Sequence, residues 1–320
     1  MNLAGHDEPW REWRTALQGP RLHHGWILTG VRGTGKAAFA LHAARELVAE
    51  GGDAWLTGEH PDVIVLRPLP ATAEDEKKRD EGKPHQLKRN ISVDQVRAMQ
   101  QRLTTRPTLG NRRAIVIDAA DDLEKSAANA LLKSLEEPPQ GTFFLLVVHR
   151  LGRLLPTIRS RCRVLAFPRV DAPEIDAMLQ REAPQADAAM RAAAIAAAGG
   201  SPGAALEFVE LDLGEIHRLM REIADVGDKD FRLRGKLAEA MGARPDRRRQ
   251  MAAIDLARSV VAGRMQGVSN QAIPALGDTH AELVRLGAQA PTYNFDPGLL
   301  VMEIGTLLAS LGTPNAPGHG

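Results

Sequence analysis

A chain of 320 residues exceeds the usual span of one hydrophobic core, so roughly two or three domains are expected. With 41 Lys and Arg against 40 Asp and Glu, the net charge is +1, which excludes a chain-wide basic coat for nucleic acid and requires any basic patch to be local. The single cysteine, Cys162, excludes an internal disulfide and a cysteine-rich zinc module. The polar start and the lack of any apolar run near ~20 residues predict a soluble, cytoplasmic protein without membrane contact.

Trp10, Trp13 and Leu17 recur at helical spacing before Gly19-Pro20 and predict a short amphipathic helix whose stripe is core. His23 and His24 follow without a partner cluster, so no metal is assigned to them. Trp26 to Thr29 reads as a buried strand and Lys36 to Ala49 as a packed helix, and between them Gly30 to Ala37 fits G-x-x-x-x-G-K-[ST] in all but the last residue. In that pattern glycines, here Gly30, Gly33 and Gly35, curl backbone N–H groups round phosphates, and a lysine, here Lys36, supplies a point charge. Ala37 stands where a hydroxyl should hold magnesium, and a methyl group cannot ligate a cation. The same glycines also suit a strand-to-helix turn that binds nothing.

Val63 to Leu66 predicts a second strand. From Leu69 to Asn90 the chain turns to Pro, Gly and charge, with five acidic and six basic residues between Glu74 and Arg89, and predicts a mobile insertion acting as a linker. Val96, Met99 and Leu103 form the inner face of the next helix. Ala114 to Asp118 then forms a third strand, whose terminal carboxylate is placed as in sites where Asp faces the magnesium of a phosphate loop. Ser126 to Glu137 predicts a helix closed by Pro138-Pro139, and Thr142 to Val148 a fourth strand. Arg153, Arg159, Arg161 and Arg163 lie close together before and within a last strand, Arg163 to Pro168; on charge alone such a run is a solvated surface. Beyond Asp171 the pattern is helical to the end, with Arg247-Arg248-Arg249 as its densest basic cluster, read as a solvated helix face rather than a DNA contact.

Asn129 to Pro139 (NALLKSLEEPP) and Ser160-Arg161-Cys162 resemble the hallmark segments of bacterial clamp-loader subunits, a branch of the AAA+ ATPases, and the shared order runs from the phosphate loop to at least Leu206. The resemblance implies an α/β plus all-α fold. An AAA+ phosphate-loop domain with a parallel sheet would span 1–168 and contain the insertion 69–90; a small helical lid would span 169–208, a helical collar for oligomerisation 209–312, and a frayed tail 313–320.

It also implies roles. Hydrolytic relatives have a Glu where this chain has Ala119, a polar first sensor where it has Val147 or Val148, and an arginine second sensor where it has Gly203. Ala37 and these three positions together imply a non-hydrolysing stator. Ser160, Arg161 and Cys162 are retained, which implies that Arg161 acts in trans as an arginine finger on a neighbouring ATPase subunit. The degenerate phosphate loop (Gly30, Gly33, Gly35, Lys36) and Asp118 leave weak ATP or ADP binding open, with no cofactor required. Many relatives carry a four-cysteine zinc module between the phosphate-loop helix and the second strand; 51–62 contains no cysteine, so no zinc is expected.

The implied partners are the motor (gamma/tau) and delta subunits and, through the complex, the sliding clamp and primed DNA during replication. The chain would then be a subunit of a DNA-directed DNA polymerase, a nucleotidyltransferase complex, without ATPase activity of its own. The rival reading is an active phosphate-loop ATPase, either the motor subunit of the same assembly or a related AAA+ helicase. A free-standing DNA-binding protein is a third, weakened by the +1 net charge.

Overall fold

The computed structural model of the protein describes residues 5–50, 60–83, 85–265, 268, 272–290 and 295–312. The chain divides into two compact units, 1–170 and 171–320. The absent zinc module expected over 51–62 and the tail at 313–320 fall largely or wholly outside the described residues. Among the described residues no helix is long and apolar enough to cross a membrane.

In the first unit the elements run α1 (Asp7–Gln18), β1 (Gly25–Thr29), α2 (Lys36–Ala49), β2 (Val63–Leu66), α3 (Ala73–Asp80), α4 (Val93–Leu103), β3 (Arg113–Asp118), α5 (Lys125–Glu136), β4 (Thr142–Val148), α6 (Pro156–Arg159) and β5 (Arg163–Ala166). The strands form one parallel sheet in the order β2-β3-β4-β1-β5. This architecture follows from the unbroken apolar runs, because a strand covered on both faces has no use for polar alternation. Ile27, Ile115, Ile117, Phe144 and Leu146 pack with α4 and α5 through Val96, Met99, Leu131 and Leu135. Their neighbours Trp26, Leu28, Val116, Leu145 and Val147 pack on the opposite face with Trp13 of α1 and Phe39 and Leu47 of α2.

Local signals place several boundaries. Ser92 and Gln95 form a reciprocal capping box at the start of α4, satisfying two backbone donors. One buried ion pair ties the strands to the preceding loop. Asp62 accepts from the backbone N–H groups of Thr108 and Leu109 at 2.8 and 2.9 Å and pairs with Arg113 at 3.3 Å. Arg113 in turn donates to the carbonyls of Arg102, Thr105 and Arg106. Burial alone would raise the Asp62 pKa, but the two amides and the guanidinium together hold it below its ordinary value.

The insertion 69–90 corrects an expectation, since much of it is folded rather than a mobile linker. Thr72 caps α3, accepting from the Asp75 N–H and donating to the Asp75 carboxylate at 2.7 Å, and Asp75 also accepts from the Gln86 N–H at 2.9 Å. Backbone bonds from Ala71 N to Gln86 O (2.9 Å) and Lys88 N to Leu69 O (2.6 Å) close the two ends. Hydrogen bonds and charge order, not apolar burial, support this element. Glu74, Asp75 and Glu76 occupy the first turn of α3 and Lys77, Lys78 and Arg79 the last, which complements the helix dipole.

The second unit contains α7 (Ala172–Glu182), α8 (Ala188–Ala198), α9 (Pro202–Glu210), α10 (Gly214–Val226), α11 (Arg232–Met241), α12 (Arg247–Arg264), α13 (Ile273–Gln289) and α14 (Pro297–Ala309). Helices α7 to α9 pack on one another, and α8 also packs on α10 and α12. In the arginine cluster at the start of α12, Arg247 and Arg248 are exposed, as a solvated helix face requires, and Arg248 and Arg249 are also engaged within the chain. Arg248 pairs with Glu207 and Glu210 at 3.0 and 2.5 Å, and Arg249 donates to the carbonyls of Leu211 and Ala240, so the cluster ties α12 to α9 and its neighbours.

Candidate functional site

The phosphate loop leaves β1 at the carboxyl edge of the sheet, the edge at which open parallel sheets receive ligands. Gly33 and Gly35 have φ of 80° and 83°, values that require glycine for an unstrained loop. At Gly30 the reason is space, because a Cβ there would lie 2.3 Å from the carbonyl oxygen of Phe167. Lys36 does not project from this loop. It is 2% exposed, and its Nζ donates to Gly30 O at 2.8 Å, Val31 O at 2.6 Å and Thr34 Oγ1 at 3.3 Å. An ammonium has three donors, so all are satisfied within the loop. Burial lowers its pKa to about 8, with Asp121 and Asp118 pulling the other way.

Strand β4 lies between β1 and β3, so its end stands between this loop and Asp118. Val147 and Val148 are both fully buried, in opposite faces of the sheet, and neither presents a polar group. The next residue, His149, places an imidazole there. Burial and then the nearby Lys36 charge lower its pKa, and its Nδ1 is buried without a hydrogen-bond partner. Asp121 fixes the turn by accepting from the N–H groups of His149 and Arg150 at 3.0 and 3.2 Å. Asp118 faces Arg67 at 3.9 Å. The groups that would hold magnesium and activate water are missing here, since Ala37 and Ala119 supply no oxygen ligand or base, and Asp121 accepts from backbone N–H groups.

Ser160, Arg161 and Cys162 sit at the other edge, just before β5. A Cβ on Gly25, the first residue of β1, would lie 2.9 Å from Cys162 Sγ and 3.2 Å from Arg161 O, so glycine there allows the motif to press against β1. Burial raises the Cys162 pKa to about 12, and the residue packs against the α4–α5 core rather than serving as a nucleophile. Ser160 donates to Thr157 O at 3.1 Å. Arg161 is partly exposed. Its Nη2 pairs with Glu136 at 2.6 Å and its Nη1 donates to Thr157 O at 2.8 Å and to Ser160 Oγ at 3.3 Å.

Residues 5–171, more than half of the chain, match the family described as DNA polymerase III, delta subunit. The chain belongs to the DNA polymerase III delta subunit family. It is 34% identical over 208 residues to DNA polymerase III subunit delta' of Pseudomonas aeruginosa, an alignment covering 61% of this chain and 58% of the relative. It is also 34% identical over 213 residues to subunit delta' of Escherichia coli, covering 62% and 58%. Likeness to DNA polymerase III subunit gamma/tau of Mycobacterium tuberculosis is 30% over 200 residues, covering 61% of this chain and 34% of that relative. The chain thus aligns with less than two thirds of the length of these relatives. A crystal structure of a DNA polymerase III gamma subunit-related protein from Thermotoga maritima overlays with a TM-score of 0.47 at 17% identity, covering 95% of this chain and 99% of that one.

In this member of the DNA polymerase III delta subunit family the two sets of site residues are separated by the length of β1. Gly25 to Gly30 spans roughly 16 Å at strand rise, so Arg161 is remote from its own phosphate loop. Sequence reading missed His149 and Asp121, because only the pairing of β4 between β1 and β3 brings them beside Lys36. It also missed Glu136 as the partner of Arg161, although both lie in the motifs singled out. Among the described residues no group of His, Cys, Asp or Glu is arranged to hold a metal ion. His23 and His24 stack at 4.6 Å; the Gly25 N–H donates to His23, and the His24 ring bonds to the Leu135 carbonyl.

Proposed function

We propose that the chain is the non-hydrolysing delta-prime subunit of a bacterial DNA polymerase III clamp loader, acting in the cytoplasm with motor (gamma/tau) and delta subunits to load the sliding clamp on primed DNA. The observation that carries this reading is the contrast between the two edges of the sheet. At one edge Lys36 serves the loop's own carbonyls, beside alanines where hydrolysis needs oxygen. At the other a partly exposed arginine stands on the surface.

A guanidinium is permanently charged, planar and able to make two hydrogen bonds to a phosphoryl group, which suits it to stabilise charge developing on a neighbour's nucleotide. Arg161 is the finger in this reading, with Ser160 and Cys162 as the frame that positions its backbone. The helices of 209–312 supply the collar through which the subunits assemble. The chain needs no cofactor or zinc of its own and contributes to a nucleotidyltransferase complex without turning over ATP.

Two measurements test this. The purified chain should hydrolyse ATP far below ~1 s⁻¹, the low end of ordinary enzyme turnover. In a reconstituted loader Arg161→Ala should leave assembly intact, lower the DNA- and clamp-stimulated ATPase partially and clamp loading more severely, and Arg161→Lys should restore little. Turnover near 1 s⁻¹ that disappears in Lys36→Ala would favour an active ATPase, and unchanged clamp loading by an intact Arg161→Ala complex would remove the finger role.

A further inference from the structure

Both terminal nitrogens of Arg161 are engaged within the chain. The strongest contact is the 2.6 Å ion pair to Glu136, the last residue of α5, backed by Thr157 O and Ser160 Oγ on the other nitrogen. The carboxyl end of α5 adds the negative end of a helix dipole to the carboxylate, so the guanidinium is drawn to this spot from two sources. Neither partner is buried: Arg161 is 33% and Glu136 47% exposed. An exposed pair contributes little to folding and can open without unpacking the core.

We infer that Glu136 is a positioning residue that parks Arg161, competing within the chain for the guanidinium that a neighbouring subunit's phosphoryl group must recruit. This rests on the finger reading above. A phosphoryl oxygen needs the same planar fork that Glu136 and the Thr157 carbonyl now occupy, and the carboxylate, if it stayed beside the arginine, would repel an incoming anion. Engagement therefore requires Arg161 to leave Glu136. With the neighbour's nucleotide in place the higher charge of the phosphates draws the arginine away; without proper docking it stays parked, and the finger is withheld from a badly assembled site. The competition lowers the fraction of engaged fingers by the factor an exposed ion pair is worth, about 1.5- to 5-fold.

The test is ATP hydrolysis by the complete reconstituted loader in the absence of DNA and clamp, with Glu136→Gln, Glu136→Asp, Arg161→Ala and the double variant Glu136→Gln/Arg161→Ala. Glu136→Gln should raise this basal rate about 1.5- to 5-fold, and Glu136→Asp, which keeps the charge on a shorter arm, should raise it less. The double variant should match Arg161→Ala alone, because a latch has nothing to release once the finger is gone. A purely structural Glu136 would not produce that dependence on Arg161. If Arg161→Ala lowers the rate but Glu136→Gln leaves it unchanged or lower, the latch is refuted and the finger stands. If Arg161→Ala changes nothing, the finger reading fails and the latch with it.

Discussion

At the level of single side chains, the phosphate-loop lysine has become part of the loop. Removing its three hydrogen bonds takes the lysine donor from the carbonyls of Gly30 and Val31, of which Val31 keeps the Thr34 hydroxyl at 2.9 Å, so Lys36→Met should cost only about 1 kcal/mol in denaturant unfolding. ATP should give no shift in the melting temperature of the unsubstituted protein, since a ligand stabilises only the state it binds. Cys162 offers a second check. Its pKa is raised by burial from 9.0 to about 12, so the stabilising effect is whole below pH 9 and is lost as pH rises toward 12, where the unfolded chain ionises first. The difference in stability between the protein and Cys162→Ala should shrink over that window. Thiol labelling at pH 8 should be much slower for the native protein than for the urea-unfolded chain.

Among the elements, two polar networks hold structure that hydrophobicity does not explain. The Asp62–Arg113 pair is buried and joins β2, β3 and the loop between α4 and β3. Breaking such a pair from one side strands a buried charge, so Asp62→Ala should destabilise the protein by about 3–5 kcal/mol, read from equilibrium unfolding. The folded insertion around α3 behaves differently because few apolar contacts support it. Asp75→Ala should open 69–90 locally, raising hydrogen exchange and protease cleavage there while leaving the global transition nearly unchanged. A large drop in global stability would mean that α3 belongs to the core.

For the whole molecule, the division at Val170 has a practical consequence. Because α8 packs on α10 and α12, truncation after Phe208 cuts through one compact unit and exposes the apolar faces of α8 and α9, whereas truncation after Val170 removes that unit entire. The chain ending at Val170 should unfold as a cooperative unit, and the one ending at Phe208 should aggregate or melt earlier in a thermal scan. Both should fail to assemble with motor and delta subunits, which chromatography of the mixed subunits would reveal; a stable complex formed by the Val170 form would move the assembly surface into the first unit.

What the sequence determined by itself is what short-range physics controls. Apolar runs such as Val63 to Leu66 and Thr142 to Val148 became the strands they predict, residue for residue, because strands buried on both faces must be continuously apolar. The spacing of the glycines fixed the loop before α2. The order of charges in 69–90 was also legible, yet read as solvation, because composition does not reveal that Thr72 and Asp75 close a cap on each other. Tertiary structure alone decided the rest. Where Lys36 points, that His149 lies within its electrostatic reach, that Arg248 ties α12 to α9 and that Arg161 rests on Glu136 all depend on which segments the sheet order and helix packing bring together, and those distances are set by long-range contacts that no local pattern encodes.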